Sequence, residues 1–406
     1  MAQPLDGIRV VDWTIWQFGP VCSKLLSDLG AEVIKIESRQ GDPGRDLKGH
    51  PGSPASLYGE AELNYYFENC NRNKKSVTVD LKTEEGRQIV YRLVSRSDVF
   101  VHNFRSSVPE KLGMSYEILR GHNHKLIYAA ACGYGTVGPD KGKPAYDPMG
   151  LARSGFMHLV GEPGMPPMTI AAAVADQIGA VFLAYGVLAA IVARERGGVG
   201  QRVDVSHFGS MITLLSVPVN CALVLGKRFY KHERARARNP LFNWYCCQDG
   251  RWIDLGMIEP DRYWHDFCKV LGIERLENDP KFKDAGSRRQ NNEEAVRILD
   301  EVFATKPRDE WVKLLDKDGD FIFTYLNDVT EVGDDPMALA NDYVIEIDHP
   351  EWGHVKQVGF PITLSETPLS FKSCAPTLGQ DTDKVLSGIC GFNDKEIAAF
   401  RKREII

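Results

Sequence analysis

Short apolar strands alternate with amphipathic helices through the first third of the chain, and no other feature restricts its fold as tightly. The pattern predicts a strand at Ile8–Trp13, a helix over Pro20–Leu29 closed by Gly30, and a second strand at Glu32–Glu37. Further strands are expected at Ser76–Asp80, Val99–Asn103, Leu126–Ala131 and Gln201–Val205, with helices at Thr83–Ser95, Pro109–Met114 and Phe208–Val217 between and after them. Such repetition implies a parallel sheet covered on both faces, an α/β, Rossmann-like large domain. Residues 40–65, rich in Gly, Pro and Ser, interrupt it as a long loop. Near residue 220 the character changes: a basic connector, 227–238, precedes two strand-like segments around Asp249-Gly250, a hairpin signal. Helices expected at 260–271, 288–304 and 307–316 complete a smaller α+β domain. The division is 1–220 for the first part of the large domain, 221–330 for the connector and small domain, and 331–406 for a return to the large one. In that last part Tyr343–Asp348 and His354–Val358 read as a hairpin, followed by a helix near 393–403.

A net charge of −6 removes any general electrostatic case for nucleic acid or an anionic membrane surface, so small molecules are the expected partners. Nine scattered cysteines without a C-x-x-C pair fit reduced thiols and a cytoplasmic setting, and the N-terminal residues lack the pattern of a secretory signal. The turn after the first strand, Thr14-Ile-Trp-Gln-Phe-Gly-Pro20, lacks the G-x-G-x-x-G that a dinucleotide pyrophosphate requires. A phosphate-binding lysine loop and a G-x-S-x-G elbow are also missing, and His122 and His124 have no acidic or cysteine partners at ligand spacing. No metal is expected.

One acid stands out. Asp176 precedes sixteen uncharged residues, Ile178 to Ala193, that read as a buried helix and fall short of the roughly 20 residues needed to span a bilayer. Placed at the N-terminus of a helix over Gln177–Arg196, the carboxylate should stay ionised, as a cap or as something more. With no metal cluster or triad in view, a lone carboxylate nucleophile is the remaining chemistry. It can attack a thioester carbonyl where water is excluded and the oxyanion is stabilised, giving a mixed anhydride.

Six segments together resemble class III CoA-transferases, the group of formyl-CoA transferase and the carnitine CoA-transferases. They are Pro4-Leu-Asp-Gly-Ile-Arg-Val-Val-Asp, Leu29-Gly-Ala-Glu-Val-Ile-Lys-Ile-Glu, Asn69-Cys-Asn-Arg-Asn-Lys-Lys-Ser, Val101-His-Asn-Phe-Arg, Tyr146-Asp-Pro and Gly200-Gln-Arg-Val-Asp-Val. The resemblance covers nearly the whole length and implies an interlocked, ring-like dimer that uses coenzyme A as its acyl-CoA substrate. It places Asp176 where the family carries its nucleophile and Gln17 beside the reacting acyl group. It also implies that Arg39, Val79, Lys82, Asn103, Phe104, Arg105, Lys111 and Leu112 contact the coenzyme, and that Tyr146 lies near the thioester. The expected cycle passes through an aspartyl mixed anhydride and an aspartyl-CoA thioester, donor acid leaving and acceptor acid entering.

The chain departs from the formyl-CoA member in two places. Ser38 replaces an arginine used near the adenine, and no tetraglycine loop lies between 240 and 262. Phe242, Trp244 and Tyr245, with Trp13, Ile15 and Trp16 and with Met165 and Met168, suggest instead a bulky apolar pocket for an aromatic or branched acid. Two alternatives remain on this fold. One is a 2-methylacyl-CoA racemase, which would use a histidine where Tyr146 stands. The other is a non-catalytic subunit of a heteromeric transferase.

Overall fold

The computed structural model describes residues 2–46 and 64–406, so most of the expected 40–65 loop lies outside the described residues. Six strands, β1 (Arg9–Trp13), β2 (Glu32–Glu37), β3 (Lys74–Thr78), β4 (Val99–His102), β5 (Ile127–Cys132) and β6 (Arg202–Ser206), form one parallel sheet in the order β3-β2-β1-β4-β5-β6. This is the doubly wound order, reached without the glycine fingerprint that usually announces it. Strand order reverses between β1 and β4, so a crevice opens beyond their C-terminal ends, and the loops that follow them must line it.

The inner strands each have one residue set for each face. Val10, Val33, Val99, Val101 and Ala129 pack under α1 (Phe18–Asp28) and the long helix Val174–Gly197, whereas Val11, Ile34, Phe100 and Tyr128 face the helix Glu84–Val94 and the C-terminal helices. The register sets Val11 against both Ile34 and Phe100, so these residues form a continuous row across three strands. Ile397 and Phe400 of the helix Asp394–Lys402 fill the second face, and the Asp80 N–H donates to the Ile405 carbonyl at 2.7 Å. The two-stranded hairpin Val344–His349/Gly353–Val358 forms as the alternation predicts.

The helix Val174–Gly197, designated α2, is 24 residues long and thus longer and earlier-starting than the uncharged run suggests. Its length and hydropathy would suffice for a bilayer, so the shortness argument fails; packing identifies it as a core helix, with Ala180, Leu183, Ala184 and Val187 buried beneath the sheet. The next expected helix is two: α3 (His207–Leu214) ends at Leu215 and α4 (Ser216–Leu225) runs on at an 80° bend.

By compactness the chain forms two units, one of residues 1–157, 169–229 and 339–406, the other of 158–168 and 230–338. In the second, strands Phe242–Cys246, Trp252–Gly256 and Phe323–Tyr325 make an antiparallel sheet, with the Asp249-Gly250 turn placing Gly250 at φ 76°. Tyr245, Phe267, Phe303 and Trp311 form its core, so Tyr245 is a core residue and not a pocket wall; Trp13 is likewise buried in the first unit. Cations of the basic connector are held locally: Arg234 pairs with Asp300 at 2.8 Å and Arg236 with Glu293. The helix expected over 288–304 is broken at Asn291 into Ala285–Gln290 and Asn292–Phe303.

Candidate active site

At the sheet's reversal point the loop Thr14–Gln17 leaves β1, and its course is dictated by buried charge. Lys35 Nζ donates to the Thr14 carbonyl at 2.8 Å while pairing with Asp42 at 2.9 Å, and Asp42 Oδ1 accepts the Trp16 N–H at 3.0 Å. Asp12 accepts from Lys74 Nζ (2.8 Å) and from Ser23 Oγ (2.6 Å) and bonds Thr14 Oγ1. Burial pushes the Lys74 ammonium down to about 8, opposed by the Asp12 charge. Across the crevice Asn103, just past β4, uses both ends of its amide on Ile15, accepting the N–H at 2.9 Å and donating to the carbonyl at 2.6 Å. Trp16 thereby stands at φ 63°, a left-handed conformation costing about 1–2 kcal/mol in a bulky residue and maintained by these bonds.

The crevice is a cavity of about 500 Å³. Ile15, Trp16, Phe18 and Phe104 give it apolar walls, and Asp176 and His207 lie in its lining. Asp176 is not the cap of its helix. It sits in the first turn of α2, and the cap comes from elsewhere: Asp147 Oδ1 accepts the backbone N–H of Ala175 at 2.6 Å and of Asp176 at 3.1 Å. Asp147 opens the helix Asp147–Ser154, with Tyr146 as N-cap and Pro148 behind it, so the Tyr-Asp-Pro turn aims a carboxylate at the neighbouring helix end. Burial raises the Asp147 carboxyl above its ordinary value, and the Asp176 charge adds to the rise.

Asp176 Oδ1 instead meets His207 Nε2 at 2.7 Å. His207 is the first residue of α3, one position past the C-terminal end of β6, with Ser206 Oγ capping that helix through Gly209 N–H at 3.0 Å. Its ring packs on Phe18 (centroids 4.6 Å apart), and Phe18 lies against Gly179 of α2, where a Cβ would come within 2.7 Å of the ring. Of the Asp176 side chain 17 % remains exposed, and Oδ2 has no hydrogen-bond partner among the described residues.

Of the residues expected at the site, Asn103, Phe104, Arg105, Tyr146 and Asp176 line this cavity together. Gln17, between two lining residues, is half-buried and is not part of the lining. Arg39 lies away from it and pairs with Glu404 at 3.2 Å; the Val79 side chain is buried in the core; Lys82 and Lys111 are exposed; Leu112 packs against the core. At the cavity Arg105 and Lys141 are exposed and have no carboxylate partner among the described residues, whereas Lys143 pairs with Asp140 (2.6 Å) and Arg202 with Asp204 (2.9 Å). Sequence reasoning missed His207 and Asp147 as site residues. For His207 a signal exists: ligands gather beyond the C-terminal ends of parallel strands, and it occupies that position on β6.

Among the described residues one trio of potential metal ligands converges, Glu68, His349 and Cys374. His349 Nδ1 accepts the N–H groups of Glu351 and Trp352 at 3.2 Å each, so its proton sits on Nε2, 3.6 Å from Glu68. That tautomer suits a buried Glu–His contact rather than a ligand.

The family model described as CoA-transferase family III matches residues 5–382. A protein of Fusarium pseudograminearum named acyl-CoA transferase is 33% identical over 99% of this chain and 88% of its own length. The (R)-2-hydroxy-4-methylpentanoate CoA-transferase of Clostridioides difficile is 33% identical over 99% of both chains. The crystal structure of a CAIB/BAIF family protein from Brucella suis superposes with a TM-score of 0.84 at 31% identity, covering 96% of this chain and 100% of that one.

Proposed function

The chain belongs to CoA-transferase family III, and we propose that it moves CoA from an acyl-CoA donor to a bulky, aromatic or branched carboxylic acid with Asp176 as nucleophile. One observation carries the reading: in a cavity at the switch point with apolar walls beside it, a carboxylate has one oxygen engaged by His207 and the other without a partner among the described residues. Oδ2 attacks the thioester carbonyl, the C–S bond breaks and the CoA thiolate leaves, giving the mixed anhydride. The thiolate then attacks Asp176 Cγ, expels the donor acid and forms the aspartyl-CoA thioester. An acceptor carboxylate reverses both steps. Ile15, Trp16, Phe18 and Phe104 keep water from these acylated states. Arg105 and Lys141 supply unneutralised charge for the coenzyme's phosphates. The apolar walls, and a relative named for a branched 2-hydroxy acid, support the acceptor class.

The racemase alternative needs two bases on opposite faces of the substrate α-carbon. Tyr146 stands where that enzyme would carry its histidine, and His207, bonded directly to Asp176 at 2.7 Å, lies beside the carboxylate instead of across a substrate from it. A second copy of the chain is proposed to cover the apolar residues exposed along α2 and α4, among them Tyr185, Leu223 and Val224. The deciding experiment is Asp176→Ala assayed with a panel of acyl-CoA donors and acids including oxalate. Transfer should vanish while CoA binding persists; retained turnover overturns the mechanism, and preference for oxalate overturns the acceptor class.

A further inference from the structure

Each return of CoA to the enzyme builds an oxyanion on Asp176 itself. When the thiolate attacks Cγ of the mixed anhydride, the carbonyl electrons move to Oδ1, and collapse breaks the Cγ–Oδ2 bond to release the donor carboxylate. The acceptor carboxylate later attacks Cγ of the thioester, again placing negative charge on Oδ1 until the thiolate departs. Such an oxygen needs a fixed donor. The backbone cannot supply it from this turn: Val174 N–H donates to the Ala172 carbonyl (2.9 Å), Ala175 and Asp176 N–H to Asp147, and Gln177 N–H to the Ala173 carbonyl (3.0 Å). Gln17, expected beside the reacting acyl group, is not in the cavity lining. His207 Nε2 is already 2.7 Å from Oδ1, on a ring that is buried and held against Phe18. His207 Nδ1 is buried with no partner among the described residues, so a proton there would have nothing among them to receive it, and the tautomer carrying hydrogen on Nε2 is the one that fits.

Resting on the aspartyl mechanism proposed above, we infer that His207 is a catalytic residue, the oxyanion donor for the steps in which CoA joins and leaves Asp176. Its hydrogen bond is present before reaction and strengthens as charge develops on Oδ1. The first acylation, whose oxyanion forms on the substrate carbonyl, does not use it. The test is His207→Leu beside His207→Gln, whose amide nitrogen reaches near the Nε2 position. Each is incubated with an acyl-CoA donor alone and read by mass spectrometry of the Asp176 peptide: hydroxylamine trapping counts total acylation, and the CoA mass retained on the untrapped peptide counts the thioester, with CoA affinity measured in parallel. His207→Leu should lower kcat about 10²–10³-fold, the usual loss for one oxyanion donor, and accumulate anhydride at the expense of the aspartyl-CoA thioester. His207→Gln should recover at least about tenfold of that loss, as a retained donor predicts. Turnover of His207→Leu within about threefold of wild type, or loss of anhydride and thioester together while CoA still binds, overturns the assignment. A wild-type protein that forms product with no adduct on Asp176 overturns the nucleophile reading and this inference with it; an adduct in wild type that His207→Leu leaves unchanged overturns only the latter.

Discussion

Asp147 should anchor the nucleophile's helix through its oxygens and not through its charge, and two substitutions separate these contributions. Asp147 Oδ1 serves two backbone donors, Ala175 N–H at 2.6 Å and Asp176 N–H at 3.1 Å, in a buried setting. Orphaning a buried donor costs about 1–3 kcal/mol, and losing a cap about 0.5–2 kcal/mol, so Asp147→Ala should cost about 2–4 kcal/mol. For a unit of this size that is a Tm fall of about 5–10 °C. Asp147→Asn keeps the acceptor oxygen and removes an ion whose carboxyl is already raised, by burial first and by the Asp176 charge. A raised folded value means that the folded state binds more protons than the unfolded one between the ordinary value of 3.8 and the raised value. The associated stabilisation is therefore complete below 3.8 and lost as pH rises through the folded value. Asn mimics the protonated form at every pH, so Asp147→Asn should melt at or above the wild-type temperature at pH 7 and lose that advantage in acid. Differential scanning calorimetry from pH 4 to 8, with transferase activity alongside, checks both. An Asn variant as unstable as the Ala variant at pH 7 would refute the reasoning, because the anion itself would then be the anchor.

Gly179→Leu should drive Phe18 off its seat, since even a Cβ there lies 2.7 Å from the ring; overpacking of this kind costs about 1–3 kcal/mol, and the displaced His207 should reduce kcat more than CoA affinity, read by steady-state kinetics and calorimetry. Lys74→Met leaves Asp12 buried without its cation and should cost about 3–5 kcal/mol in a denaturant titration, most of it recovered in the double variant Lys74→Met/Asp12→Leu; additive losses would contradict a paired origin. Burial holds the His102 imidazole down at about 3, so between about 6.5 and 3 the unfolded chain takes up a proton that the folded chain refuses. Stability is thus lost as pH falls through that window, and His102→Phe should flatten the acid limb of the pH–stability curve; an unchanged limb would show that His102 does not contribute to it.

The sequence by itself determined the layered sheet and most of its elements, because adjacent apolar residues at Val10/Val11 and Val33/Ile34 commit these two strands to two buried faces. It also singled out Asp176, since an acid heading a long apolar helix is conspicuous in one dimension. It left a capping role for that acid open, which the structure gives to Asp147, 29 residues earlier, through a bond that has no local signature. The pairing of Arg39 with Glu404 is likewise hidden in one dimension, where Arg39 is only a surface cation beside a strand. What the tertiary structure alone decided is the pairing of Asp176 with His207. They lie 31 residues apart, on the first turns of two helices that adjoin only because β6 returns beside β5 and delivers α3 to the same end of the sheet as α2. Periodicity specifies which side of an element is buried; the convergence of two helix ends on one cavity follows from strand order, which no local pattern encodes.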